Sequence, residues 1–133
     1  MASSLYPSGK QAFLSGMISL TSDTIKAALI NTSDYTYDPS HGSWLTAKSG
    51  LVGTPVNITS PTVNSPTPGV FDGDDVTFTA VSGPPVSAIV LYKDAGDDTA
   101  SQLIAYIDGV SVTPNGGDIS CAWDNGPHRI FEL

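Results

Sequence analysis

Val86-Ser87-Ala88-Ile89-Val90-Leu91-Tyr92 and Leu103-Ile104-Ala105-Tyr106-Ile107 are two apolar runs rich in β-branched and aromatic residues. Between them lies Asp94-Ala95-Gly96-Asp97-Asp98, a cluster of turn formers. Short apolar runs bounded by such residues read as strands. Working outward, Asp75 to Val81 alternates, with Val76, Phe78 and Ala80 on one face. Asp118 to Trp123 alternates again, and His128 to Leu133 closes the chain as a further strand. Gly83-Pro84-Pro85, Asp108-Gly109, Asn115-Gly116-Gly117 and Asn125-Gly126-Pro127 punctuate the intervals. Strands with a turn every eight to twelve residues or so point to an antiparallel β-sandwich or small barrel of about eight or nine strands.

The N-terminal half fits the same class less cleanly. Thr24 to Ile30 reads as a mostly buried strand, and Asn31 to Gly42, with Asp38-Pro39 and His41-Gly42, as a surface loop. Trp44-Leu45 and Leu51-Val52 are short apolar islands, and Val56 to Thr59 alternates. Ser60 to Gly69 carries Pro61, Pro66 and Pro68 and predicts an extended loop, because proline donates no ladder hydrogen bond. One short helix is predicted, from Pro7 to Met17. Ser8 is its expected N-cap, Gly16 its left-handed terminator, and Phe13, Leu14 and Met17 its buried face. The whole chain, 1–133, is expected to form one domain, with 1–7 as an N-terminal arm and 60–69 as a Pro-rich loop. Its expected core comprises Ile25, Leu29, Val76, Phe78, Ile89, Leu91, Ile104, Tyr106, Ile119, Trp123 and Phe131.

Composition narrows the function. Charged residues are 14% of the chain, against roughly 25% in ordinary soluble domains, while 40% of residues are apolar, enough for one core. Thirteen acids against five bases leave a net charge of −8, with one arginine and four scattered lysines. Phosphate backbones and anionic membranes need clustered cations, so neither nucleic acid nor membrane is an expected partner. Twelve of the thirteen acids are aspartate, which favours turns over helix surfaces. A single cysteine, Cys121, allows no internal disulfide, and its parity with Ile119 and Trp123 marks it as a small core residue. No apolar run is long enough to span a membrane, and the N-terminus lacks the pattern of a signal peptide. Synthesis in a cytoplasm is the expectation.

Few residues offer chemistry. His41 and His128 are the two candidate imidazole bases, and Asp38 precedes His41 by three residues. No Gly-x-Ser-x-Gly elbow accompanies them. Asp72-Gly73-Asp74-Asp75 and Asp94 to Asp98 could converge on calcium, but neither has the EF-hand spacing, and hairpin turn chemistry explains both. The expectation is no catalytic residue, no metal and no cofactor. The aromatics stand out more: Tyr35 and Tyr37 flank Thr36, with Trp44 close behind. Exposed Tyr and Trp anchor interfaces and sugar-stacking sites, or they cover one end of a sandwich.

The order of segments carries a resemblance. A short helix leads into Ser22-Asp23-Thr24-Ile25-Lys26-Ala27-Ala28-Leu29-Ile30-Asn31 and Asp34-Tyr35. Gly69-Val70-Phe71-Asp72-Gly73-Asp74-Asp75-Val76-Thr77-Phe78, Ile89-Val90-Leu91-Tyr92-Lys93-Asp94 and Leu103-Ile104-Ala105-Tyr106-Ile107-Asp108 follow. Pro114-Asn115-Gly116-Gly117-Asp118-Ile119 and Trp123-Asp124-Asn125-Gly126 complete it. From Leu5 to Leu133 the chain resembles small proteins encoded in the structural-gene regions of tailed bacteriophages; Val56 to Pro68 lies outside the resemblance.

The resemblance implies a virion structural protein made in the bacterial host cytoplasm. Its implied role is capsid decoration: a cement domain bound to the major capsid protein and to neighbouring copies, often as trimers. A tail, neck or fibre adaptor is the alternative, and a carbohydrate-binding adhesin module using Tyr35, Tyr37 and Trp44 is another. The expected contact residues are Leu5, Tyr6, Tyr35, Tyr37, Trp44, Pro61, Pro66 and Pro68, on irregular segments expected to be exposed.

Overall fold

The strands that read as continuous apolar runs are buried on both faces. In the computed structural model, which describes residues 3–63, 70–121 and 131–132, strand outweighs helix and every strand pairing is antiparallel. The order is β1 (Ser3–Leu5), α1 (Pro7–Leu14), β2 (Ile25–Ile30), α2 (Trp44–Ala47), a 3-10 turn (Lys48–Gly50) and β3 (Leu51–Asn57). Then come β4 (Val70–Phe71), β5 (Val76–Phe78), β6 (Val86–Lys93), β7 (Gln102–Val112), β8 (Ile119–Cys121) and β9 (Phe131–Glu132). A curled, half-barrel sheet has the order β1-β7-β6-β2-β3, while β4 pairs with β9 and β5 with β8 in two short ribbons. Mainly β architecture is thus as the turn spacing predicts.

Two cores lie on opposite faces of the large sheet. Ala27 and Leu29 of β2 and Ile89 and Leu91 of β6 join Phe71, Val76, Phe78 and Val81 in the first. Ala28 and Ile30, with Ala88, Val90 and Tyr92, face the other way and pack with Tyr6, Tyr35, Trp44 and Ala47 in the second. A strand with no solvent face has few polar positions to alternate with, which is why these segments are apolar apart from the half-buried Lys26, Ser87 and Lys93. The ribbon strands, covered on one side, alternate: Val76 and Phe78 are buried while Thr77 is exposed.

A bulge decides which β7 residues face which core. Leu91 pairs with Ala105 but Tyr92 with Leu103, leaving Ile104 as the extra residue. Ile104 and Ala105 both enter the first core, and Leu103 and Tyr106 enter the second. Strict parity would have kept Ile104 and Tyr106 together. Of the expected core, Ile25, Leu29, Val76, Phe78, Ile89, Leu91, Ile104 and Tyr106 are buried, and Ile119 is half-buried against the first core. Trp123 lies outside the described residues, as does the Phe131 side chain.

The helix differs most from its expectation. It buries Gly9 and Ala12, not Leu14 and Met17. Any Cβ on Gly9 would sit 2.6 Å from the Leu103 carbonyl oxygen, so α1 approaches β7 through its smallest residues. Leu14 lies two residues, about 200°, around the helix from Ala12 and is 91% exposed. Phe13 alone of the predicted face packs on the core. Tyr6 occupies the N-cap position with no side-chain cap, correcting Ser8. The helix ends at Leu14, short of the predicted Met17, but Gly16 is its left-handed terminator as predicted: its φ is +78°, its amide donates to the Phe13 carbonyl, and the Met17 amide reaches Ala12. Leu51-Val52 and Val56-Asn57, separate by pattern, belong to one strand interrupted at Gly53, which has φ +74° beside Val81. No helix among the described residues is long and apolar enough to cross a membrane.

Phe78 is 1% exposed in the first core, so Phe78→Ala is expected to cost about 3–5 kcal/mol in a denaturation experiment. A loss below about 1 kcal/mol contradicts the packing of β5 described above.

Candidate functional site

Residues 31–50 leave the sheet after β2, cover its second face and return as β3. Local hydrogen bonds shape this strap. The Asn31 side-chain oxygen accepts from the Ser33 amide, and Asp38 Oδ1 accepts from both the amide and the hydroxyl of Ser40, at 2.8 and 2.7 Å. The Thr32 amide donates to Ser87 Oγ, and the two hydroxyls lie 2.7 Å apart, tying the strap to β6. At its far end the Trp44 ring stacks on Tyr92, centroids 4.1 Å apart and planes within 6°. Gly50 must be glycine, since a Cβ there would sit 2.6 Å from that of Tyr35.

Beneath the strap the aromatics converge. Tyr6, immediately after β1, is fully buried, and its hydroxyl lies 2.6 Å from that of Tyr35. Tyr35 is 3.2 Å from Nδ1 of His41, whose Nε2 is 3.8 Å from Asp38 Oδ2. Tyr37 packs on Tyr6 and Tyr106 with centroids 5.0 and 5.7 Å apart, and its hydroxyl donates to the Leu5 carbonyl at 3.3 Å. The electrostatics follow the burial. Desolvation holds the Tyr6 phenol far above its ordinary range, reinforced by its bond to Tyr35. Desolvation also raises Tyr35 and pushes Tyr92 up to about 12. The Ser40 hydroxyl and amide, with a smaller contribution from His41, hold Asp38 below the usual carboxylate range.

An Asp–His–Tyr–Tyr series resembles a proton relay. This one ends on a hydroxyl with no exposed surface, and its geometry fastens the strap to β1 and β7. It also corrects the expected contact residues. Tyr6, Tyr35 and Trp44 are buried within the second core, and Leu5 and Tyr37 are half-buried. None of the first three presents a ring to a partner, and Tyr35 and Trp44 offer no platform for a sugar. The N-terminal arm is likewise part of the fold: Ser3, Ser4 and Leu5 pair with Ile107, Tyr106 and Ala105. Pro61 is half-buried beside the Thr62–Asp72 bridge, and Pro66 and Pro68 lie outside the described residues.

The second Asp-rich cluster is accounted for by local structure. Asp94 accepts from the Gly96 amide and pairs with Lys26 at 3.3 Å. Asp97 accepts from the amide and hydroxyl of Thr99, and Asp98 pairs with Lys48 at 2.7 Å. Among the described residues no three His, Cys, Asp or Glu side chains are grouped to hold a metal ion. Burial, with the Asp75 charge, pushes the Cys121 thiol up to about 11, consistent with a packed rather than reactive sulfur. His128 lies outside the described residues. Tyr106 is the member of the cluster that strand parity had assigned elsewhere; the bulge at Ile104 turns it toward the tyrosines.

Neither a protein-family model nor a curated protein matches this chain.

Tyr35→Phe leaves the fully buried Tyr6 hydroxyl without its partner, so a loss of about 1–3 kcal/mol is expected at pH 8. Tyr37→Phe removes a longer bond from a half-buried ring and is expected to cost less than about 1 kcal/mol. Urea denaturation of both proteins checks the order; equal losses contradict it.

Proposed function

We propose that the chain is a non-enzymatic structural protein of a tailed-phage virion, a capsid decoration protein that binds and braces the outer shell. The observation that carries the non-catalytic half of this reading is the closed hydrogen-bond series under the strap. Among the described residues, the side chains with the makings of acid–base chemistry form a series that ends on the buried Tyr6 hydroxyl and holds two segments together. Decoration rests on the segment order from Leu5 to Leu133 that resembles phage structural-region proteins. The acidic charge of −8 is compatible with the outside of a shell whose DNA lies within.

Burial of the tyrosines moves the proposed contacts elsewhere. Among the described residues, the large apolar side chains left to solvent are Leu14 on the side of α1 away from Ala12, Met17 just after the helix, Leu45 on α2, and Val63. A decoration protein lacking broad apolar surface attaches through several small contacts repeated over many copies, each adding little alone.

Co-sedimentation of the purified chain with expanded, undecorated shells tests the reading. Saturable binding at several hundred copies per shell is expected, weakened by a Leu14→Ser/Met17→Ser double variant whose melting temperature is unchanged. Absence of binding, together with a dozen or fewer copies per virion, overturns decoration in favour of a tail, neck or fibre adaptor.

A further inference from the structure

The Tyr6–Tyr35–His41 series has a direction set by counting its protons. Its two contacts, 2.6 Å between the hydroxyls and 3.2 Å from Tyr35 to Nδ1, offer places for two protons. Neutral His41 with its proton on Nε2 fills both: Tyr6 donates to Tyr35, and Tyr35 donates to a bare Nδ1. The opposite tautomer reverses the series and leaves the Tyr6 hydroxyl proton without an acceptor among the described residues, in a site with no solvent exposure. Asp38 supports the same assignment, since its carboxylate lies on the Nε2 side at 3.8 Å.

A third proton does not fit. When His41 becomes an imidazolium, both ring nitrogens carry hydrogen, and Nδ1 no longer accepts from Tyr35. Either the Tyr35 or the Tyr6 hydroxyl then loses its acceptor, or His41 leaves the series and turns to solvent, where its side chain is already 29% exposed. The compensating attraction to Asp38 is a surface one, across 3.8 Å to a carboxylate already accepting two bonds from Ser40. Among the described residues, the printed contacts to this series from other elements come from uncharged groups. Tyr6, Tyr35, Tyr37 and Tyr106 are phenols, and α1 contributes the uncharged Ser8, whose hydroxyl donates to the His41 carbonyl at 3.3 Å.

We propose that His41 is an acid-sensitive latch: the strap from Asn31 to Gly42 is fastened to Tyr6 and the sheet when His41 is neutral, and its protonation releases that fastening. The strap covers the second core, so release exposes the edge of an apolar surface built around Tyr35 and Trp44. The latch therefore contributes stability in alkaline solution and loses it on acidification. The device is independent of the virion reading; it belongs to the fold whatever the chain binds.

Two measurements test it on the intact chain. The first is imidazole nitrogen NMR at pH 8, with the His41 signals assigned by their loss in His41→Gln and so separated from those of His128. The latch requires the proton on Nε2; a proton on Nδ1 overturns it. The second compares melting temperatures at pH 8 and pH 5 for the wild type, His41→Gln and Tyr35→Phe. Gln supplies an acceptor that does not titrate, and Phe removes the donor. The wild type is expected to lose about 4 °C more on acidification than either variant, whatever their starting stabilities. An identical acid shift in all three overturns the proposal, because acidification would then act through other groups.

Discussion

A sheet with no free face must be covered twice, and this constraint organises the chain. β2 and β6 are buried along both sides, with Ala27 and Leu29 turned to one core and Ala28 and Ile30 to the other. One cover consists of the ribbons around Val76 and Phe78 with Phe71 and Val81. The other is the strap, too irregular to seal a sheet by backbone pairing, and it seals through aromatic rings instead. Tyr35 and Trp44 bury what the strap must bury, and the hydroxyl pair of Tyr6 and Tyr35 satisfies polar atoms that the interior would otherwise strand. Small residues in the sheet make room: Ala28 and Ala88 are fully buried beneath these rings.

How far the sequence disclosed this depends on the length scale of each signal. Strand identity was legible, because runs such as Val86 to Tyr92 and the alternation of Val76 to Phe78 are local properties of the chain. The two-sided burial was present in the same runs, since unbroken apolar strands in an antiparallel fold have nowhere to place a polar face. The helix face was misread because hydrophobicity pointed to Leu14 and Met17, whereas close approach to β7 requires Gly9 and Ala12. Small residues carry no hydrophobic signal, so a contact made through them is silent until the partner backbone is known. The bulge at Ile104 is silent for the same reason: nothing in Leu103 to Ile107 distinguishes a strand that slips one position from one that does not.

The aromatic residues show why a candidate site was harder to read than the fold. Tyr35, Tyr37 and Trp44 lie among Asn, Ser, Thr, Asp and Gly, the composition of an exposed loop. That polar surrounding is real, and its side chains form the turns of the strap; the rings point the other way. Asp38 and His41 were visible as neighbours three residues apart, but their joining to Tyr6 depends on a contact spanning twenty-nine residues. A functional reading therefore passes from the rings to the groups that remain outside, Leu14 and Met17 foremost.

Native-state hydrogen exchange at pH 8 tests most directly whether the strap is an integral layer of the core. The amides of Asn31, Tyr35 and Leu103, bonded to Gly50, Asn31 and Gly42 carbonyls respectively, report on its two ends. If the second core is as described, these three exchange only with the global unfolding that also releases the β6 amides. Exchange orders of magnitude faster than β6 would show a strap that opens on its own and a sheet stabilised from one face alone.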